Sequence, residues 1–598
     1  MFKNESIVQR VLKIYILGLL FGGRNPSACL LNHNKIVAMA EEERFTRIKH
    51  ANMEFPIESI KFCIKEAKIN LEDIDHVAVG WDASKYDTSY MAEFFLRTWL
   101  KYNPSDEKTL QWQITRLKRF KSENMINQIS DAFKEIDFKG NLPQVHFITH
   151  HLAHAASTFY LSGFNEASIL TVDGHGEEDC TVLWSGKGSN ITKLEQINIP
   201  DSLGWFYTAF TVFLGFLPHD GEGKTMGLAP YGKKNLEVFK KMEKVIKVNG
   251  DGTYSINPKL VYGPKSNDNE YFTDWFLDIF GKPRLKDEPL TVYHKDLAFA
   301  AQEKLEEAVT GLAKRLVKKT GKRKLCLAGG THMNCKLNGK LLEQDFVDEI
   351  FVIPMSADNG ISLGAALVVA EKNKIDVKKK LEHVYFGPEF GDDEIKKCLD
   401  EFGLKYRKAD NIAAESAKFL CNGNIIGWFQ GRMECGARAL GNRSILANPM
   451  DPEMKDKVNK RVKFREMWRP FCPSILAEKA DEYFIMDGKE APYMIIAYNA
   501  REGIMEKLPS VVHIDNSVRP QTVEKSINPL YWYLINEFGK LSGVPVILNT
   551  SFNIKGEHII CRPREAGNCF LMTNLDDLCI GNFIVSKKEN LSISKSQK

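Results

Sequence analysis

Apolar runs of five to seven residues, parted by short polar turns, organise the start of the chain after thirteen residues of mixed polarity. Residues 14–20, 27–31 and 36–40 read as strands, with turns at 21–26 and 32–34, an antiparallel array. At 57–68 the apolar period lengthens to that of an amphipathic helix, and 76–81 returns to a buried strand. Residues 94–130 read as mostly helical, with a break near Pro104; their basic stretch at 116–121 reads as a solvated helix face. Strand, turn and strand recur at 168–172, 173–179 and 180–184, and a strand at 324–328 runs into Gly329-Gly330 and a helix. Hairpin turns carrying glycine and polar residues, with a Gly-Gly at a strand–helix junction, point to phosphate-handling turns in an α/β scaffold. No internal repeat is visible. Residues 371–380 are charged, with only Ile375 and Val377 as large apolar positions. The domain junction is therefore expected between there and Asp410, parting a domain at 14–385 from one at 400–590. The second domain alternates strands (425–429, 544–548) with helices (451–462, 529–541), so it too is α/β.

Composition narrows the classes. At 598 residues the chain is too long for one core. A net charge of +4 gives no case for nucleic acid as a partner, which needs a dense basic face. The apolar stretch at 15–21 is too short to span a bilayer, and no cleavable signal precedes it, so no membrane role is expected. The twelve cysteines form no C-x-x-C pair, which speaks against a zinc ribbon or a disulfide framework and for a reducing cytoplasm. The lysine- and serine-rich end at 586–598 is expected to fray.

Cationic side chains concentrate in the second domain. G-R-M-E-C-G-A-R-A-L-G-N-R sets Arg432, Arg438 and Arg443 among glycines; V-K-F-R-E-M-W-R-P-F adds Lys463, Arg465 and Arg469, and R-P-Q-T-V adds Arg519. Guanidinium groups take phosphate oxygens in pairs, and glycines let backbone N–H groups approach them. With Glu434 the only acid close to Arg432–Arg443, a polyanionic small molecule is the expected guest there rather than structural ion pairing.

In the first domain, T-H-H-L-A-H-A-A-S places His150 and His154 four apart, on one face of a helix, a geometry that lets two imidazoles share a metal. His151 points elsewhere. Asp173 closes a strand and Asp358 opens the turn S-A-D-N-G. Two histidines with one or two aspartates suit a divalent metal of intermediate softness: Fe²⁺, Mn²⁺ or Zn²⁺. Against this, a bare i, i+4 histidine pair is more often a helix surface.

Together these strings, with E-E-E-R-F-T-R-I-K-H, E-G-K-T-M-G-L-A-P-Y-G, G-G-T-H-M-N-C-K-L-N, S-A-D-N-G-I-S-L-G-A-A and I-L-N-T-S-F-N, resemble the NodU/CmcH family of O-carbamoyltransferases over residues 15–585. The resemblance implies an actin/sugar-kinase-like (ASKHA) domain followed by a YrdC-like α/β domain. It implies two steps: carbamoyl phosphate and ATP, with Mg²⁺, give carbamoyl adenylate in the second domain; an acceptor hydroxyl then takes the carbamoyl group in the first. By the same resemblance, Lys463, Arg469, Arg519 and Ser551 hold carbamoyl phosphate, and Arg438 and Asn549 help hold ATP. His150, His154 and Asp358 bind a metal, expected to be iron, with Asp173 completing the site beside the adenylate. Lys49 approaches the adenylate, and Gly329, Gly330 and Asn334 line its pocket. The expected acceptor is a small hydroxylated natural product, as in antibiotic or other secondary-metabolite biosynthesis. A homodimer is left open.

The chain departs from the family at one place. Many members carry H-D-x-S-A in the first turn, with the histidine a candidate base; here R-N-P-S-A puts Arg24 and Asn25 there. Arginine stays protonated and cannot be that base, so Arg24 is expected to stabilise charge, with Lys49 a substitute base. His175, in D-G-H-G, reads as a loop histidine. Three other readings share the domains: a threonylcarbamoyl-type tRNA modifier, disfavoured by the weak charge; a hydrogenase-maturation carbamoyltransferase, disfavoured by the missing C-x-x-C pairs; and a non-catalytic nucleotide-binding regulator.

Overall fold

A computed structural model describes residues 14–102, 107–266 and 270–591. The expectations at Pro104, over the first thirteen residues and for 592–598 lie outside the described residues. The chain forms two compact units, one of residues 1–42 and 50–381, the other of 43–49 and 382–598.

The first unit holds two five-stranded sheets. In one, β1 (Tyr15–Leu20) pairs antiparallel with β2 (Ser27–Asn32), which pairs with β3 (Lys35–Glu41); β4 (His76–Val79) and β5 (Gln144–Phe147) follow in parallel, giving the order β3-β2-β1-β4-β5. In the other, β6 (Glu166–Val172), β7 (Asp179–Lys187) and β8 (Asn190–Asn198) are antiparallel neighbours. A small hairpin, β9 (Ile246–Val248) and β10 (Tyr254–Ile256), stands apart. The parallel strands β11 (Lys324–Ala328) and β12 (Glu349–Val352) complete the second sheet as β8-β7-β6-β11-β12. The two orders are the same, so the fold is doubled although the sequence shows no repeat. Topology follows the apolar pattern and the turn positions, which survive without residue identity. This doubled mixed sheet is the architecture expected of the actin/sugar-kinase-like domain.

One helix lies within the first sheet's course and another where the chain passes from the first sheet to the second. Ile57–Ala67 lies between β3 and β4; His150–Phe159 lies between β5 and β6. The latter is rich in small residues and buried at nine of its ten positions. It packs against the apolar helix Ile361–Lys372 so closely that a Cβ at Gly364 would stand 1.9 Å from the Ala153 carbonyl oxygen. Glycine is therefore required where the helices meet.

The second unit is built on an eight-stranded mixed sheet. It contains β13 (Arg407–Lys408), β14 (Ile426–Phe429), β15 (Arg443–Ala447) and β16 (Cys472–Leu476). A separate three-stranded sheet uses β17 (Phe484–Ile485), β18 (Tyr498–Ala500) and β19 (Ser517–Val518). The large sheet closes with β20 (Gln521–Val523), β21 (Val546–Ser551), β22 (Asp577–Ile580) and β23 (Phe583–Ser586), in the order β13-β23-β22-β14-β15-β21-β16-β20. Trp428, Tyr531, Leu534 and Phe538 lie at its core. The helix expected at 451–462 is shorter: Met454–Val458 gives way to a π-turn, Asn459–Lys463, ended by Phe464 at φ 46°. Such widened turns swing a side chain out of helical register, and here they redirect Lys463.

Candidate functional site

Two polar clusters stand out, one in each unit. In the first unit, four ligand atoms from His150, His154, Asp173 and Asp358 lie within 4.8 Å of one another. The buried helix presents both imidazoles on one face, Asp173 directly follows β6, and the turn before Ile361–Lys372 supplies Asp358. Nε2 of His150 and of His154 lie 3.3 and 3.1 Å from the same Asp173 oxygen, and His150 Nε2 is 3.7 Å from Asp358. Both histidines are wholly buried, so the helix-surface reading of the pair does not apply.

Burial alone would raise the Asp173 carboxyl, yet hydrogen bonds from His150 and His154 hold it well below the usual range. Asp358 goes the other way, driven well up by burial and then by the Asp173 charge. Burial pushes His150 down to about 4 and His151 to about 3. Two imidazoles facing two carboxylates form a donor set for a divalent metal of borderline softness, and a cation would relieve the conflict between the acids. The residues fit such an ion.

Neighbouring turns shape this place. Gly329 has φ 97°, and a Cβ there would lie 2.2 Å from the Val172 carbonyl oxygen. Gly330 N–H donates to Asp173 Oδ1 (3.1 Å). Asn334 caps the helix Cys335–Leu342, and its amide pairs reciprocally with Gln302 (2.9 and 3.1 Å), so its observed work is structural. His151 turns away to Thr171 (2.8 Å). Arg24 donates to Tyr271 Oη (3.3 Å). Lys49 ends the segment 43–49 that belongs to the second unit, whereas His50 belongs to the first.

Sequence reasoning missed several residues. Glu177 is buried, and its carboxylate accepts the N–H of His150 (3.2 Å) and of Asp82 (2.8 Å), fixing the start of the histidine helix. The run D-G-H-G-E was the only signal for it. The stretch 116–121 is not uniformly a solvated face: Arg116 is 5% exposed. It donates to Tyr86 Oη (2.9 Å) and to the Gly176 carbonyl (2.8 Å), and its guanidinium lies over the Trp81, Trp112 and Phe120 rings. Aromatic faces and a carbonyl hold the cation where no acid does. His175 packs against Trp112 and Trp205 with Nε2 3.4 Å from Arg116, more enclosed than a loop histidine.

The second cluster is cationic. Lys463 Nζ reaches Ser551 O (2.8 Å) and Oγ (3.2 Å), and Asn553 O (2.9 Å) and Oδ1 (2.6 Å), all acceptors on the I-L-N-T-S-F-N strand and turn. Burial, then Arg465, pushes its pKa well below the usual range; burial, then Arg469, does the same to Arg465. Arg519 lays Nε and Nη2 on Cys472 Sγ (3.1 and 2.9 Å), and Arg469 sits 3.7 Å from Glu466. Asn549 donates to Ser474, Gln521 and the Ala439 carbonyl, leaving its buried Oδ1 without a hydrogen-bond partner among the described residues. Arg438 is half-buried beside Ala439.

The arginine string does not act as one anion site. Arg443 is fully buried, donates to the carbonyls of Gln430 (2.6 Å), Gly431, Asn442 and Pro388, and stacks 3.7 Å over Phe429. Arg432 donates to the Phe386 and Gly387 carbonyls. Both are structural, because backbone oxygens do the work an acid was expected to do. Glu434, in turn, receives the N–H groups of Leu440, Asn442 and Arg443 and shapes the glycine-rich loop.

Residues 16–367 match the family model for the carbamoyltransferase N-terminus, and residues 417–587 match that for the carbamoyltransferase C-terminus. An uncharacterised protein of Synechocystis, sll1178, is 36% identical over 98% of both chains. Nodulation protein NolNO of Sinorhizobium fredii is 36% identical over 94% of this chain and 79% of its own. Nodulation protein NolO of Bradyrhizobium diazoefficiens is 39% identical over 74% and 79%. Among solved structures, full-length HypF in its phosphate- and nucleotide-bound form aligns at a TM-score of 0.31 and 14% identity, over 61% of this chain and 57% of its own. With family models matched in both units and relatives aligned along nearly the whole length, the chain belongs to the carbamoyltransferase family.

Proposed function

We propose that this carbamoyltransferase is an ATP-dependent O-carbamoyltransferase working in two steps. In the second unit, carbamoyl phosphate loses phosphate to water, and the carbamate oxygen attacks the α-phosphorus of Mg²⁺-bound ATP; pyrophosphate leaves and carbamoyl adenylate remains. In the first unit, the hydroxyl oxygen of a small acceptor bonds to the carbamoyl carbon, the carbon–oxygen bond to phosphate breaks, and AMP departs with its electron pair. Carbamate is a poor acylating agent until AMP gives it a leaving group.

One observation carries this reading: a cationic cluster gathered around the buried Lys463, and a His/Asp cluster suited to a cation, occur in one chain. Lys463, Arg469, Arg519 and Ser551 would hold the phosphate and carbamoyl oxygens, with Arg465 adding to the field; cations held dry are worth most where negative charge gathers. Arg438 and Asn549 would hold ATP, the unpaired Asn549 Oδ1 accepting a donor from the nucleotide. His150, His154, Asp173 and Asp358 would hold a divalent ion, of which Fe²⁺ suits the donor set; when bound, it supplies charge stabilisation for the developing oxyanion and leaving phosphate. Gly329 and Gly330 would line the adenylate pocket; Gly329 lets its turn pack directly on the end of β6, and Gly330 also braces Asp173. The twelve free cysteines suit a reducing cytoplasm.

The test is pyrophosphate release from purified protein given ATP and Mg²⁺, with and without carbamoyl phosphate, and with Arg438→Ala as control. Release that depends on carbamoyl phosphate and falls in the control supports the first step. ATP binding without release overturns it in favour of a nucleotide-binding regulator.

A further inference from the structure

The helix Glu107–Arg119 of the first unit buries a polar stripe. Thr109, Gln113 and Arg116, with Phe120 just beyond the helix, recur at the spacing of one helix face, and all four are buried. A helix held by packing alone carries apolar side chains along that face. Gln113 is 1% exposed, yet neither its Nε2 nor its Oε1 has a hydrogen-bond partner among the described residues. Arg116 Nε, one turn on, is also buried without a partner. A buried carboxamide left unpaired at both ends destabilises the fold, and an apolar side chain of similar size would be tolerated as well or better. Gln113 is therefore kept for something other than packing.

The stripe lies beside the His/Asp cluster. Arg116 Nη2 donates to the Gly176 carbonyl (2.8 Å) and Nη1 to His175 Nε2 (3.4 Å), both in the turn that follows Asp173. Its guanidinium lies over the Trp81 ring, and Trp81 packs on His150 with ring centroids 4.5 Å apart. Trp112, His175 and Trp205 gather at the same place, their centroids 5.4, 5.5 and 5.9 Å apart. Gln113 sits one turn back from Arg116 on the same face of the helix.

A guest must match what these side chains leave open. The Gln113 carboxamide offers N–H donors and a carbonyl acceptor, so its complement is a group with a carbonyl oxygen and an N–H of its own; Arg116 Nε–H adds one more donor. A carbamoyl phosphate ester carries all of these: an N–H₂, a carbonyl oxygen and phosphate oxygens. Resting on the two-step reading above, we propose that Gln113 recognises the carbamoyl group of the adenylate in the first unit through an amide-to-amide pair of hydrogen bonds, with Arg116 Nε–H donating to a phosphate oxygen. Gln113 Nε2 donates to the carbamoyl oxygen, and Oε1 accepts from the carbamoyl N–H₂. The pair fixes the plane of the carbonyl for attack, and the Nε2 donor strengthens as negative charge gathers on that oxygen. Gln113 exchanges no proton and forms no covalent bond. It sets which acyl group is accepted, because a group without N–H₂ leaves Oε1 buried and unpaired.

The test compares two adenylates on the full-length enzyme in single turnovers. Carbamoyl adenylate is formed in place from ATP and carbamoyl phosphate, acetyl adenylate is supplied as such, and the loss of each to water and ethanol is followed against the rate without protein. Wild type should use carbamoyl adenylate roughly 100-fold faster or more, as a site does when its polar group is left unpaired by the wrong substrate. Gln113→Leu should slow carbamoyl transfer on the order of 100-fold, leave acetyl transfer within about twofold, and so erase the preference. Its denaturant midpoint should equal or exceed that of wild type, since the substitution removes an unpaired amide. A preference kept in Gln113→Leu overturns the assignment, as does a wild type without preference. A lowered midpoint with the preference kept marks Gln113 as a packing residue. Pyrophosphate release separates this from the two-step reading: a wild type that releases it yet shows no donor preference refutes the role of Gln113 alone, whereas one that releases none refutes both.

Discussion

The two clusters are electrostatic opposites built by the same means. In the first unit, Asp173 and Asp358 crowd together beside two imidazoles, and the acids split: one carboxyl is held well down and the other driven well up. In the second, Lys463 and Arg465 lie among carbonyls and a thiol, and burial with repulsion from neighbouring arginines drives both down. One place gathers carboxyl groups, the other gathers cations. Folding energy spent on holding like charges together is recovered only when a guest of opposite sign arrives, so each cluster predicts the sign of what it binds.

The sharpest way to break this comparison is to disable each cluster and ask which step fails. Lys463→Ala and Arg519→Ala should each lower carbamoyl-phosphate-dependent pyrophosphate release by roughly 100- to 1,000-fold, the range for removing a preorganised donor. Asp173→Asn should leave that release intact and stop carbamoyl transfer. If Asp173→Asn stops pyrophosphate release as well, the division of labour is wrong. Next, His154→Ala should lose the bound divalent ion, measured by elemental analysis, falling from roughly one ion per chain to background, with the fold retained by circular dichroism. Arg443→Lys should behave unlike either. It should cost about 2–4 kcal/mol in denaturant unfolding, because a lysine cannot satisfy the carbonyls that the guanidinium bridges.

The smallest effect concerns protons. The free-state pKa of Lys463 is depressed, and a bound anion favours the charged ammonium. Binding therefore raises that pKa and draws in up to about one proton, and affinity strengthens as pH falls through the free-state value. Calorimetry of phosphate binding in buffers of different ionisation enthalpy should detect uptake; proton release would contradict the picture.

How much of this was legible in the residues depended on whether the signal was local. The spacing of His150 and His154 already placed both on one helix face, and Asp173 and Asp358 stood at strand and turn ends where side chains can converge. The strand pattern of the first forty residues matched β1 to β3 within a residue at each end. The misreadings share a cause. Arg443 and Arg116 looked like ligand and solvent residues because an arginine satisfied by backbone oxygens and aromatic faces leaves no acidic partner in the sequence. The doubling of the first unit was hidden because strand order is kept while identities drift. The helix read at 451–462 was expected to stop just short of Lys463; the π-turn that re-aims that residue depends on packing.

The segment 43–49 carries a practical consequence. It belongs to the second unit, where Arg44 donates to the Gly436 carbonyl (2.8 Å), Glu43 pairs with His558 (3.1 Å) and Arg47 reaches the Ile559 carbonyl (3.0 Å). The polypeptide thus enters the second unit twice. During synthesis, those seven residues emerge more than three hundred residues before the rest of their unit, and they must wait for it. A fragment cut at residue 382 would lack them. The two half-reactions should therefore resist separation into independently expressed pieces, and a working C-terminal fragment will need the 43–49 peptide supplied or grafted back.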